Sequence, residues 1–258
     1  MFYPTVSNYI NGRHQTRASI NYVNKVSALS EEQKQEILQA ARIYNQDLLS
    51  KPDRFEFSKA DEARYDKLLN IGDGVMGILV IDKINVKLPI YHGTDDATLQ
   101  VGVGHLEGSS LPVGGKGTHA VLMGHRGLPS SLLLTNLDKM RKKDTFILYV
   151  MGQTLTYQVD QIRTVNPDEL RALTIDPGKD YCTLVTCTPY GINTQRLLVR
   201  GHRIPNAPNT DWSSIYGDAR RLDWLRVIMI AVIPILIASL IYIIVKYRKI
   251  NRRGGIIK

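Results

Sequence analysis

From Val75 onward the chain becomes a succession of short apolar runs between turn signals, and no other feature limits the fold as strongly. The runs fall at 77–81, 86–91, 120–123, 145–150, 155–165, 181–187 and 196–201. Leu155, Tyr157 and Val159 alternate with polar residues, as a half-buried strand requires. Many short strands with few helices predict a mainly β architecture, a closed or nearly closed barrel. The stretch VGVGHLEGSSLPVGGKG, between the second and third runs, lacks the strand–loop–helix context of a phosphate cradle and reads as a loop. NPDEL at 166–170 reads as a capped helical turn with Pro167 at its first position.

The flanks differ. Ser30, with Gln33 three residues on and Leu29 before it, is a capping-box helix start, and Ile37, Ala41, Tyr44 and Leu48 form an apolar stripe at helical spacing. SKPDRFEFSKAD (50–61) breaks this helix, and a second short one follows with Tyr65, Leu68 and Leu69 on one side. Residues 1–29 are expected to be extended, and MFYPTVSNYINGRHQ holds no apolar core of an export signal. The organisation expected is therefore an N-terminal segment (1–29), a helical subdomain (30–70), a barrel (71–206), a linker (207–226), an apolar stretch (227–245) and a basic tail (246–258).

The apolar stretch, VIMIAVIPILIASLIYIIV, has no charge; as a helix it would extend about 28 Å, close to the hydrocarbon thickness of a bilayer. It predicts one C-terminal transmembrane helix. Trp224 lies on one side and Lys246, Arg248, Lys249, Arg252 and Arg253 on the other, which puts the C-terminus in the cytoplasm and the barrel outside the cell. An outward domain needs an export signal, so a further hydrophobic segment upstream is expected. The net charge of +9 is a property of the tail: nine Lys/Arg and one acidic residue follow position 219, against 24 and 23 before it. A nucleic-acid-binding face is thereby excluded as an expectation.

Only two cysteines occur, Cys182 and Cys187. Five residues along one strand separate them by roughly 16 Å, too far for a disulfide. Cys187 ends a predicted strand in TLVTCTPYGINTQRLLVRGHR. A turn centred between Gly191 and Ile192 sets Arg196 directly opposite it, on the same face. A thiol with a cationic neighbour can act as a nucleophile, and an always-charged guanidinium can hold the oxyanion of a tetrahedral intermediate. Acyl transfer also needs a proton shuttle. Of the six histidines, His125 stands out because it leaves the end of a strand in THAVLMGHRGLP, whereas His202 lies too far down the hairpin and His119 precedes its strand. The bland alternative is a small residue buried in a hairpin, which is the reading given to Cys182.

TLVTC followed nine residues later by Arg, with GHRG upstream, resembles the sortase family of cysteine transpeptidases. LPIYHGT, GVGHLEGSSLPVGGKGTHAVLMGHRGLP and TLVTCTPYGINTQRLLVRGHRIP resemble its class C, pilus-assembling branch, from about Val75 to Pro205. The resemblance implies an eight-stranded sortase-type barrel that needs no metal or organic cofactor. It implies Cys187 as the nucleophile on the Thr–Gly bond of an LPxTG-like sorting signal. His125 would protonate the leaving amine, and Arg196 would steady substrate and intermediate. The partners implied are pilin subunits bearing the signal and an acceptor lysine. Class C sortases usually carry an Asp-Pro-aromatic lid. This chain departs from it with Asp53, Arg54 and Phe55 in KPDRFEFS, so 51–58 is a candidate lid with Asp53 and Phe55 as its residues. The alternatives are anchoring of surface proteins to a peptidoglycan precursor, hydrolysis, and a membrane-tethered binding module without catalysis.

Overall fold

A computed structural model describes residues 3–128, 132–208, 232, 235, 236 and 238–246, the first eight of these by their backbone alone. The chain divides into two compact units, Met1–Trp212 and Ser213–Lys258. In the first, the strands β1 (Val75–Ile81), β2 (Val86–His92), β3 (Val103–His105), β4 (Thr118–Met123), β5 (Thr145–Val150), β6 (Gln153–Val165), β7 (Asp180–Thr188) and β8 (Gln195–Ile204) form one sheet. Their order is β1-β2-β3-β4-β7-β8-β6-β5, and β5 pairs back onto β1, so the eight strands close into a barrel with no free edge. The β2–β3 and β4–β7 neighbours are parallel and the other pairs antiparallel. The interior is filled by large apolar side chains, among them Phe146 and Tyr157, whose rings stack at 5.5 Å.

Seven strands match the apolar runs of the sequence; β3 is the addition. It is three residues long inside the glycine-rich stretch, too short to show a period. Gly104 lies so close to the next chain segment that a Cβ would be 2.3 Å from the Gly93 carbonyl oxygen, which explains a glycine within a strand. The helical turn expected at 166–170 is replaced by a turn closed by Glu169 N–H donating to Asn166 O, and a 3-10 turn (Arg171–Leu173) follows it.

Helix α1 (Tyr3–Ala28) stands where an extended segment is expected. Ser19, Tyr22, Val23 and Val26, spaced 3, 4 and 7 residues from the first, are all buried. The Tyr22 hydroxyl donates to Met76 O at 2.9 Å and accepts Met151 N–H at 3.0 Å, tying the helix to the barrel. Burial of the three larger side chains is worth about 1.5–3 kcal/mol each, enough to hold a helix of weak intrinsic amphipathicity. Helix α2 (Glu31–Leu49) starts at Ser30 with the capping box complete in both directions. Its buried face is Leu38, Ala41, Tyr44, Asn45 and Leu48, so Ile37 is only half-buried and Leu38 takes the inner position. Asn45 is buried because its amide pairs with both backbone groups of Leu111, donating at 3.0 Å and accepting at 2.7 Å. Helix α3 (Lys59–Tyr65) has a second capping box, Ser58 with Asp61, and ends on the fully buried Tyr65. The short α4 (Asp96–Val101) leads into β3.

The C-terminal transmembrane helix, and the membrane placement drawn from it, are corrected. Among the described residues no helix is long and apolar enough to cross a membrane. Much of the span expected at 227–245, with its linker and most of its basic tail, lies outside the described residues. Residues 238–246, which overlap its end, are helical.

Candidate active site

The candidate site lies on the β7–β8 hairpin and the loop that follows β4. Across the β7–β8 hairpin Cys187 pairs with Arg196, as a turn centred between Gly191 and Ile192 requires. On the other side of β7, β4 runs parallel with Met123 beside Val185. The pairing extends past the strand end: Gly124 N–H donates to Val185 O at 3.0 Å, and the Thr186 hydroxyl donates to Gly124 O at 2.8 Å. His125 follows Gly124, two residues past the end of β4, and its carbonyl oxygen accepts from Leu134 N–H at 3.2 Å. Neighbouring strands lie about 4.8 Å apart. The row across the sheet through Cys187 therefore runs to Arg196 of β8 and Val165 of β6, with His125 in the loop that continues β4. Gly124 is required before His125 because Leu134 packs against it; a Cβ would be 2.8 Å from Leu134 Cγ.

Cys187, His125 and Arg196 are each partly exposed. The Arg196 guanidinium is folded back on its own turn, with Nη1 donating to Asn193 O at 3.2 Å and Gln195 O at 3.1 Å. Cys182 is fully buried and its thiol is pushed well above the usual range by that burial, which makes it inert packing. No disulfide joins the two cysteines.

His119 and His105 are structural. His119 belongs to β4 itself rather than preceding it, and it is buried. Its Nδ1–H donates to Thr174 O at 2.9 Å, and its Nε2 accepts from the Thr183 hydroxyl at 2.7 Å. His105 stacks on Tyr65, accepts its hydroxyl at Nδ1 and donates from Nε2 to Ser110 O at 2.8 Å. Each imidazole is satisfied in its neutral form, and burial lowers each pKa to about 4.

One step down the sheet from the Cys187 row, Val121, Val185 and Leu198 form an apolar patch with Leu173, and Phe55 packs onto it. The segment 51–58 thus lies against the same face as Cys187. Asp53, by contrast, is exposed, and Arg196 is engaged with its own turn, so the structure does not bring the two together. The residue that fixes the segment is Arg54, which sequence reasoning did not single out. It is only 8% exposed, donates from Nη1 to Gly108 O at 2.9 Å and from Nη2 to Leu173 O at 2.6 Å, and lies 4.3 Å from the Phe55 ring centre. The backbone presses equally closely: a Cβ on Gly108 would be 2.0 Å from Arg54 O. A cavity of about 520 Å³ opens beside the segment, lined by Leu48, Pro52, Phe55, Leu170 and Ile175 among others. Among the described residues no group of three or more His, Cys, Asp or Glu is arranged to hold a metal ion.

Comparison with known proteins gives a consistent picture. The Sortase domain family matches residues 79–204. The crystal structure of sortase C1 from Streptococcus agalactiae is similar with a TM-score of 0.72 and 50% identity, over 74% of this chain and all of that one. Sortase C of Streptococcus pneumoniae, whose structure is described as bearing on pilin substrate specificity, superposes with a TM-score of 0.68 at 44% identity, over 74% of this chain and 99% of that one. Among curated proteins, sortase D of Bacillus subtilis (strain 168) is 32% identical over 131 residues, 50% of this chain, and the chain spans only 63% of that relative's length. Sortase A of Bacillus anthracis is 28% identical over 152 residues, 59% of this chain and 68% of the relative.

Proposed function

Because the chain belongs to the sortase family of cysteine transpeptidases, we propose that it joins pilin subunits through a thioester on Cys187. The Cys187 sulfur attacks the carbonyl carbon of threonine in an LPxTG-like signal. The Thr–Gly bond breaks, His125 gives a proton to the departing glycine amine, and the threonyl group remains on sulfur. A lysine amine of another subunit then attacks the thioester and loses its proton to His125, and the thiolate leaves. The products are an isopeptide bond and the free enzyme. Arg196 steadies the oxyanion in both steps after swinging from the Asn193 and Gln195 carbonyls towards Cys187. Residues 51–58 act as a lid, with Phe55 on the apolar patch that an incoming peptide would cover.

The reading is carried by the Cys187–Arg196 pair across the β7–β8 hairpin, with His125 two residues past the end of β4, the parallel neighbour of β7. The reading assigns nucleophile to Cys187, oxyanion donor to Arg196 and proton shuttle to His125. The choice of a pilin lysine as acceptor is supported by the similarity to the two streptococcal sortase C structures, one of which is described by its pilin substrate. The test is intact-mass spectrometry of the full chain with an LPxTG-type peptide, then with a lysine-bearing pilin fragment. A mass gain equal to the peptide less its post-threonine part, absent in Cys187→Ala and His125→Ala, is expected. Transfer to the pilin lysine in preference to a peptidoglycan-type amine is the second expected result. An adduct that survives Cys187→Ala defeats the reading, and preference for the peptidoglycan amine defeats its second half.

A further inference from the structure

The proton shuttle His125 lies just beyond the last bond of the β4–β7 ladder, where no strand pairing holds it. Its carbonyl oxygen accepts from Leu134 N–H at 3.2 Å within its own loop, and the next residue ties that loop to the Cys187 hairpin. The Arg126 side chain is only 10% exposed, and its Nη2 is 2.5 Å from Asp138 Oδ2, in the 3-10 turn Leu137–Lys139. Its Nη1 donates to the Thr188 hydroxyl at 3.4 Å, one residue past Cys187, and the guanidinium carbon is 5.8 Å from the Tyr190 ring centre. Gly127 continues the contact: its N–H donates to the Thr135 hydroxyl at 3.1 Å, and a Cβ there would be 3.0 Å from the Tyr190 ring. One side chain thus touches the residue after the nucleophile and the turn that follows the His125 loop. We propose that Arg126 is a positioning residue, clamping the loop of His125 to the hairpin of Cys187.

The energetics argue for geometry rather than stability. Arg126 Nε is buried and has no hydrogen-bond partner among the described residues. A buried charged group with an unsatisfied N–H costs free energy that an apolar side chain of the same length would avoid. A residue that breaks this rule beside reacting groups is expected where placement matters more than stability. Proton transfer and nucleophilic attack are steep in distance: displacement by about 1 Å costs roughly 100-fold in rate. A residue that acts only through placement slows the chemical step on removal and leaves half-saturation unchanged, which is the outcome the clamp requires of Arg126.

This inference rests on Cys187 and His125 acting as proposed above, and the experiment separates the two. In the full chain, Arg126→Met is expected to form the thioester with an LPxTG-type peptide about 100-fold more slowly at saturation, with half-saturation within about twofold of the unmodified chain. Arg126→Lys, which keeps the charge but loses the two-pronged contact, restores only part of that loss. Asp138→Asn removes one exposed partner, spares the fold if Arg126→Met does not, and slows acylation several-fold. A second readout needs no peptide: in His125→Cys, the rate of disulfide formation with Cys187 under oxidised glutathione reports how closely loop and hairpin are held. Adding Arg126→Met is expected to slow it at least tenfold. Acylation within twofold of the unmodified chain, a loss confined to half-saturation, or an unchanged cross-linking rate overturns the clamp. If the unmodified chain forms no thioester, the transpeptidase reading fails, and the cross-linking rates still decide the clamp.

Discussion

Replacing Arg54 with methionine removes the two hydrogen bonds that hold residues 51–58 against the barrel, those to Gly108 O and Leu173 O. A hydrogen bond from a charged donor is worth about 1.5–3 kcal/mol net, so the pair contributes roughly 3–6 kcal/mol. The guanidinium also carries a burial cost, which holds its pKa below the usual arginine range. Methionine recovers the packing of the stem against Phe55 without that cost. The net loss is about 2–3 kcal/mol, or on the order of 30- to 150-fold in the opening equilibrium of this segment. Hydrogen–deuterium exchange of the full chain, read by mass spectrometry, should show amides of 51–58 exchanging faster by that factor. Amides of β1 and β5, on the far side of the barrel, should be unchanged. Alkylation of Cys187 by a bulky maleimide should rise in parallel. Unchanged exchange at 51–58 refutes the anchor, and an equal acceleration throughout the barrel shows that Arg54 supports the fold rather than the segment.

Gly108→Ala should open the same segment from the other side, because its φ of +77° disfavours alanine and the new Cβ would be 2.0 Å from Arg54 O. The same exchange measurement checks it, with residues 53–56 expected to respond first. His105 and His119 are held neutral with pKa values of about 4, below the ordinary histidine value near 6.5. The unfolded chain therefore binds more protons between these values, and stability should fall as pH drops from about 6.5 to 4, by roughly 3 kcal/mol per histidine. Thermal melts across that range test this, and His119→Gln should flatten the slope; a melting temperature independent of pH would contradict it. Tyr22→Phe strands the buried Met151 N–H that the hydroxyl accepts and should destabilise the chain by about 2 kcal/mol, measured by denaturant unfolding.

The candidate site was legible to different depths. Cys187 and Arg196 belong to one hairpin, so a turn position and the two-residue period of a strand suffice to pair them. His125 could be picked out only as a histidine at a strand end. Its approach to the end of β7 depends on β4 pairing in parallel with β7, some 60 residues away in sequence, and no local pattern encodes that choice. Arg54 and Arg126 were passed over because arginine in a polar segment ordinarily reads as a solvated surface residue. What marks them is burial, at 8% exposure for Arg54 and 10% for the Arg126 side chain, which follows from segments that meet only in the folded chain. The α1 helix was missed for a related reason: its buried positions are few and partly polar, and they become a face only once the barrel is there to receive them.

By itself the sequence determined seven of the barrel's eight strands, the capping-box start of α2 and the hairpin that pairs Cys187 with Arg196. Each is set by contacts within a few residues, where periodicity and turn chemistry act directly. The tertiary structure decided which strand lies beside β7, where α1 docks and what residues 51–58 cover. Those outcomes depend on closing the sheet and on burying groups from distant segments together, and a pattern of apolar and polar residues states that a face is buried without stating against what.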